Sequence, residues 1–494
     1  MFLKRQLSHY SFWGTLICSI ALLSLPLGCD SDDDEDRQVI EEVITFSDEV
    51  VTILYPQEIE GALSWKPPLD EWKAQTLGQV ELVVYSDLDE LLEKQVADPA
   101  SNMILFYPRT EFAKIGSKKL FQPIPEILQG PDDLDLRDLF DALGNSVIEW
   151  NGEPAVIPIR EPMLLLYYRS DLLEAAGKEP PASWDEYREL LKSLSNWAPG
   201  LTAVEPWGPD YRPVSYLTHT LPYAKTRGNY SVFFDYRSGE PLVDSPGFAE
   251  GIAQCRELLP LLAPESLQMS PDDCIDEIRQ GRAAMAIGSA FDSVSDSGGT
   301  PKPDDYPVSV VPIPGAAKVF DSGRDSWRDL EGEVNRVMVT GWDGLSVSIL
   351  KGVRGEENTA AWNLLRSLLI DYSANSFVPG YRTSTRLSTS TQIWSPRFPH
   401  LNERSHVEAV SESLKESEVV PALMIDHRDE FLKELSTMID QAIIEKAVSP
   451  HEALATLATR WSELMEKYGR EETLSSYASG LGVTIRNLKP ASSR

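Results

Sequence analysis

The sequence predicts an α/β fold, on three observations. Apolar, β-branched runs alternate with amphipathic stretches through the first part of the chain, a pattern that sets helices against a largely parallel sheet. The segment from Val156 to Trp197 compresses strand, helix, turn and helix into one stretch with readable punctuation. The 494 residues, 42% hydrophobic and 25% charged, suit a globular chain with room for two or three domains.

Val50 to Tyr55 (VVTILY) reads as the first strand, Pro68 to Gln75 as a helix and Val80 to Tyr85 as the second strand. Leu88 to Val96 is helical, and Asn102 to Tyr107 (NMILFY) is the third strand, bounded by Pro99 and Pro108. Ligands of open parallel sheets gather at the carboxyl ends of strands, which makes Tyr107 and Arg109 candidates. Pro131 to Leu143 is acidic and Leu-spaced and predicts a solvated helix. Val156 to Ile159 and Met163 to Tyr168 are strands, the second suited to burial on both faces. Ser170 is the expected N-cap of a helix from Asp171 to Ala176 that Gly177 stops. Pro180-Pro181 forces an extended turn, and Ser183 with Glu186 forms a capping box. Trp184, Tyr187, Leu190, Leu191, Leu194 and Trp197 then share one helical face.

Beyond Trp197 a loop-rich part brings Trp207, Tyr211 and Arg212 close together in sequence. Phe248 to Leu262 and Asp272 to Gln280 are helical, Gly281 to Gly288 and Val308 to Pro314 read as strands, and Ala317 to Gly332 reads as a polar surface insertion. A strand within Asn335 to Ile349 and an amphipathic helix from Glu356 to Ile370 follow. The last third is helical, with a capping box at Ser449-Pro450-His451-Glu452, and the residues after Arg470 read as an appended tail.

The N-terminus carries a targeting segment. Lys4 and Arg5 precede an apolar stretch, Phe12 to Leu27, too short and interrupted for a comfortable transmembrane span. It ends Leu25-Pro26-Leu27-Gly28-Cys29 and resembles a bacterial lipobox, which implies lipidation of Cys29 and loss of residues 1–28. Asp30 to Asp36 (DSDDDED) is a charge run suited to an extended tether, residues 29–48 in all. Losing Lys4 and Arg5 takes the formal charge from −32 to −34. That balance makes nucleic acid and anionic membrane surfaces poor partners. Cys255 and Cys274 remain after processing; a disulfide and two separately buried thiols are both open.

Catalytic signatures are missing: there is no HExxH, Walker A, GxSxG, GxGxxG or CxxC. His427-Arg428-Asp429 matches a kinase tripeptide, without any accompanying kinase element. Neither an enzyme nor a cofactor or metal site is expected.

Several segments resemble one family. LYYRSD followed by LLEAAG (Leu166 to Gly177), then PPASWDEY (Pro180 to Tyr187), is similar to the central signature of the family 1 extracellular solute-binding proteins. These are the substrate receptors of ABC importers, including the maltose-binding type. Gly281-Arg282-Ala283-Ala284-Met285, the strand at Gly341 to Ser348, the helix around Trp362 and Ser449 to Leu454 resemble further elements of that family. Together the resemblance runs from about Val50 to Arg470. The chain departs from it after Gly288, where Ser289-Ala290-Phe291 replaces an expected Trp, and at Gly380-Tyr381-Arg382, where Pro and Ala are replaced.

The resemblance implies a periplasmic-binding-protein-like fold: two α/β lobes around a hinge, with the ligand cleft between them. Lobe 1 is expected at 49–159 plus 312–377, lobe 2 at 160–311 plus 378–470 and the tail at 471–494, with crossovers near Ile157–Glu161, Val311–Pro314 and Phe377–Tyr381. It implies a monomeric, extracytoplasmic, lipid-anchored receptor that closes over a carbohydrate and delivers it to ABC permease subunits. Aromatic rings suit the C–H face of a sugar, so Trp65, Tyr107, Trp207, Tyr211, Phe291, Trp342 and Tyr381 are expected contacts, with Arg109, Arg160, Glu161, Asp343 and Arg382 as polar ones. A receptor that feeds a membrane sensor, or that takes an organic acid, is the alternative.

Overall fold

The computed structural model describes residues 45–61, 63–131, 133–139, 148–229, 231–289, 306–352, 358–369 and 401–483. Fifteen strands lie among them: β1 Val50–Pro56, β2 Gln79–Tyr85, β3 Met103–Pro108, β4 Glu149–Trp150, β5 Glu153–Pro154, β6 Ile157–Arg160, β7 Leu164–Arg169, β8 Thr202–Val204, β9 Ala283–Ser289, β10 Val308–Pro312, β11 Lys318–Asp321, β12 Ser326–Asp329, β13 Val337–Thr340, β14 Leu345–Ile349 and β15 Glu418–Pro421.

A five-stranded sheet runs in the order β2-β1-β3-β14-β6. β1 pairs in parallel with β2 and β3, as strand–helix alternation requires, whereas β14 runs antiparallel to both its neighbours. Alternate β1 residues face opposite cores. Val51, Ile53 and Tyr55 meet Trp65, Leu69, Trp72 and Trp362 under the helices Lys66–Thr76 and Thr359–Leu369. Leu54 lies on the other side with Leu92, Leu105, Phe112 and Phe121.

A four-stranded sheet has the order β10-β7-β9-β8, with β7 antiparallel to β9 and β10. β7 is buried on both faces. Leu164 and Leu166 point into the largest core, shared with Trp184, Trp207, Phe234 and Trp461. Leu165 and Tyr167 point to a smaller one with Cys274, Ile278 and Val410. The capping box forms: the Glu186 N–H donates to Ser183 Oγ (3.3 Å), and the Ser183 N–H donates to Glu186 Oε2 (3.1 Å).

Four expectations differ from the structure. Ser170 is the first helical residue of Ser170–Ala175 rather than its cap, because β7 runs on to Arg169. Within 131 and 133–139 only a 3₁₀ turn, Leu136–Asp138, forms where a longer helix was expected. The second crossover is not at Val311–Pro314: β10 belongs to the four-stranded sheet, and Ile313, Ala316, Val337 and Val339 stay in that sheet's largest core. The chain returns to the five-stranded sheet only through Gly341–Gly344, between β13 and β14. The first change of sheet falls between Arg160 and Leu164, and the segment expected to hold a third, Phe377–Tyr381, lies outside the described residues.

Last, the residues after Arg470 are no loose tail. Arg470–Gly480 is a helix that buries Leu474, Tyr477 and Ala478. It packs against the helix Phe112–Ser117, and Ser479 Oγ donates to Asn151 Oδ1 (2.7 Å). The expected surface insertion is the β11–β12 hairpin.

Candidate functional site

The two sheet-changing segments, Glu161–Met163 and Gly341–Gly344, meet at a buried charged knot. Arg109, just past the end of β3, is 1% exposed and Glu161 is 2% exposed. Arg109 Nε lies 3.8 Å from Glu161 Oε1, and Glu161 Oε2 accepts the Gly341 N–H (2.9 Å). The Arg109 N–H donates to the Gly344 carbonyl (2.8 Å), and its guanidinium sits 4.0 Å from the Phe112 ring centroid. Burial pushes the Glu161 carboxyl up to about 7, against the pull of Arg109, the Gly341 N–H and Arg160. Burial lowers the pKa of Arg109 in turn, against Glu161 and Tyr107. Position 341 favours glycine because φ is +74°, a conformation in which a Cβ is strained. Expected as ligand contacts, Arg109 and Glu161 are instead spent inside the protein, tying together three segments distant in sequence.

Other expected contacts do stand near solvent. Arg160 Nη2 donates to the Asp343 carbonyl (2.9 Å) and lies 3.4 Å from Asp343 Oδ2, with the Asp343 side chain 49% exposed. Trp342, partly buried, meets the Tyr211 ring edge-on at 6.0 Å and 81°. The Trp342 Nε1 has no hydrogen-bond partner among the described residues. Tyr211 is held at the start of the helix Arg212–Ala224, where Arg212 pairs with Asp440 (2.7 Å). Four expected residues from three distant segments are thus linked: Arg160 to Asp343, and Tyr211 to Trp342. An apolar ring pair beside a charged donor–acceptor pair suits a polyhydroxyl ligand, which presents C–H faces and hydroxyls together.

The remaining candidates fall elsewhere. Tyr107 is fully buried, its hydroxyl 3.0 Å from Ser348 Oγ. Trp207 is fully buried and donates from Nε1 to Glu205 Oε2 (3.0 Å). Trp65 packs between Tyr55 and Phe106 in the core of the five-stranded sheet. All three are core residues, because the segments that carry them run under the surface. Phe291, Tyr381, Arg382 and Cys29 lie outside the described residues. Cys255 and Cys274 are free, buried thiols, and burial pushes both up, with Glu205 adding to the effect.

Sequence reasoning missed Glu205 and His219. His219 Nε2 lies 2.8 Å from Glu205 Oε2, and both side chains are nearly inaccessible. The signal was faint: one acid before a Pro, and one His inside an apolar helix. Two surface concavities, of about 680 and 530 Å³, hold none of the expected site residues. No group of three or more His, Cys, Asp or Glu among the described residues could hold a metal ion. No helix among them is long and apolar enough to cross a membrane.

The family model for bacterial extracellular solute-binding proteins matches residues 69–385, and the chain belongs to that family. The family places it outside the cytoplasm, and its members are binding proteins. Among solved structures, the chain is similar to maltose-bound MalE3 of T. maritima, at 18% identity and a TM-score of 0.59, over 84% of this chain and 99% of that one. It is similar to the sugar-binding protein MalE of Xanthomonas citri, at 16% and 0.60, over 85% and 98%. It is also similar to a ribitol-bound ABC transporter solute-binding protein of Agrobacterium radiobacter, at 15% and 0.58, over 85% and 100%. At these identities the likeness carries the fold, which is that of two-lobed periplasmic binding proteins.

Proposed function

We propose that this chain is the substrate-binding lipoprotein of an ABC importer, taking a sugar, oligosaccharide or sugar alcohol and delivering it to membrane permease subunits. The observation that carries the reading is the Tyr211–Trp342 ring pair beside Arg160 and Asp343, at the segment where the chain changes sheet. Trp342 and Asp343 lie in a connection between the two sheets, so a ligand held there draws on both bodies. Ligand then selects the closed arrangement by hinge motion. The first lobe comprises the five-stranded sheet and its helices, the second the four-stranded sheet and the helices from Glu403 on, omitting the segments outside the described residues. Solved relatives with maltose, ribitol, D-mannitol and cycloalternan bound support a polyhydroxyl ligand. Cys29 carries the lipid, and the acidic run after it spaces the receptor from the bilayer.

A thermal-shift screen over mono- and oligosaccharides, sugar alcohols and organic acids tests the reading. A ligand at 100 times its Kd adds about 2.7 kcal/mol of stability. Stabilisation by a sugar or polyol that is lost in Trp342→Ala supports it. Stabilisation by an organic acid alone replaces the ligand class, with Arg160 as its natural partner. The anchor is tested by metabolic labelling with radioactive palmitate, which should label the wild type and not Cys29→Ser.

A further inference from the structure

Beneath the loop that carries Tyr211 lies a buried carboxylate that takes no part in the proposed ligand contacts. Glu205 is 1% exposed. Its Oε2 accepts from Trp207 Nε1 (3.0 Å) and meets His219 Nε2 (2.8 Å). The His219 ring is flanked by Trp184, at 3.9 Å between centroids, and Trp207, at 6.0 Å and near-parallel. Tyr187 faces the same carboxylate, whose charge adds to burial in raising the phenol's pKa. The SWDEY segment thus covers both partners: Trp184 lies over His219 and Tyr187 faces Glu205.

From this base the loop is fixed upward. The Trp207 N–H donates to the Ser266 carbonyl (3.0 Å), and the Gly208 N–H donates to that of Met269 (2.9 Å). A Cβ on Gly208 would lie 2.7 Å from that oxygen, so the contact needs glycine. The Gly208 carbonyl accepts from the Tyr211 N–H (2.9 Å), and Arg212 Nε donates to the Trp207 carbonyl (3.2 Å). Tyr211 reaches Trp342 from the end of that chain of contacts.

We propose that Glu205 is a positioning residue for ligand binding: its carboxylate, shared by Trp207 and His219, sets the loop that holds Tyr211 against Trp342, without touching ligand itself. The inference rests on the proposed site at Tyr211 and Trp342. An unshared buried carboxylate would be costly, whereas two donors on one oxygen fix both rings in one arrangement.

The test is fluorine NMR of the soluble protein labelled with 5-fluorotryptophan, the Trp342 resonance being assigned by Trp342→Phe. Glu205→Leu, which cannot accept, is expected to move the Trp342 resonance as Tyr211→Ala does. It should also weaken binding of maltose or D-mannitol about tenfold, the size of one buried hydrogen bond. Glu205→Gln is expected to restore both, since an amide oxygen can still serve Trp207 and His219. Trp207→Phe removes the indole donor while keeping an aromatic ring, and should move the resonance too, which covers the case in which Glu205→Leu does not fold. A Trp342 resonance unmoved in Glu205→Leu and Trp207→Phe overturns the positioning role, whatever the sugars do. A resonance that moves while Tyr211→Ala binds both sugars normally leaves the positioning in place and overturns the site.

Discussion

Stability should fall with rising pH because of a single buried carboxyl, Glu161. Its pKa is pushed from 4.5 to about 7 in the folded protein, so between those values the native state holds a proton that the unfolded chain has released. The favourable contribution is therefore full below about pH 4.5 and is lost as pH rises through about 7. A carboxyl moved from 4.5 to about 7 corresponds to roughly 3 kcal/mol between its two protonation states. The residue is 2% exposed, so solvent does not screen this away. Glu161→Gln removes the titration and keeps an oxygen to accept the Gly341 N–H. Urea unfolding of both proteins at pH 5, 6, 7 and 8.5 isolates the effect, since other titrating groups cancel in the difference. Wild type should lose about 3 kcal/mol relative to the variant across that range. The variant mimics the protonated carboxyl, so the two proteins should be close in stability at pH 5, where Glu161 already holds its proton. A wild-type-minus-variant difference that is flat with pH would refute the reasoning. It would mean that the attraction of Arg109 outweighs burial and that Glu161 is ionised throughout.

Gly341→Ala should lower unfolding stability by at least about 1–2 kcal/mol, because an alanine at φ +74° is strained. Met424 Cε, the end of a flexible side chain, can move aside, so the strain lies in the backbone, and unchanged urea unfolding would contradict a left-handed Gly341. Tyr107→Phe deletes one buried hydrogen bond to Ser348 and should cost about 1 kcal/mol by urea unfolding. Its affinity for any ligand found by the screen should be that of wild type, and a tenfold loss would return Tyr107 to the site. Thiol titration of the processed chain with Ellman's reagent should show no fast-reacting cysteine when native and both Cys255 and Cys274 after denaturation without reductant. Ser183→Ala breaks the capping box and should cost about 1 kcal/mol by the same unfolding assay.

What the sequence made legible is what neighbouring residues decide together. The capping box at Ser183 and Glu186, the doubly buried β7 and the three parallel strands at the start of the fold all follow from local spacing. The candidate site was half legible. Trp342 and Asp343 precede a strand, where a binding loop is expected, and there they stand. Arg109 and Glu161 looked the same in one dimension as Arg160 and Asp343, since nothing along the chain says which charged residue at a strand end turns inward. The answer comes from Gly341 and Gly344, whose missing side chains leave room for Arg109. The sheet crossing was misplaced for a related reason. Val308 to Pro314 looks like any strand that ends at a proline, and only its antiparallel partner β7 assigns it to the four-stranded sheet.

The C-terminal helix shows the limit most clearly. Arg470–Gly480 has no continuous apolar stripe, so periodicity predicts nothing to bury. It is buried all the same, because Ser476, Ala478, Ser479 and Gly480 are small enough for close backbone approach. Polar contacts then hold it: Ser476 Oγ accepts the Asp426 N–H (2.9 Å), and the Tyr477 hydroxyl meets Ser231 Oγ (2.6 Å). Ser117 Oγ, on the helix Phe112–Ser117, donates to Asp426 Oδ2. A helix seated in the four-stranded body and touching a helix of the five-stranded one adds a non-covalent tie alongside the chain crossings. The hinge closure proposed above would have to pivot about these contacts or break them, so Ser479→Ala or Ser117→Ala, which each remove one of them, should ease it.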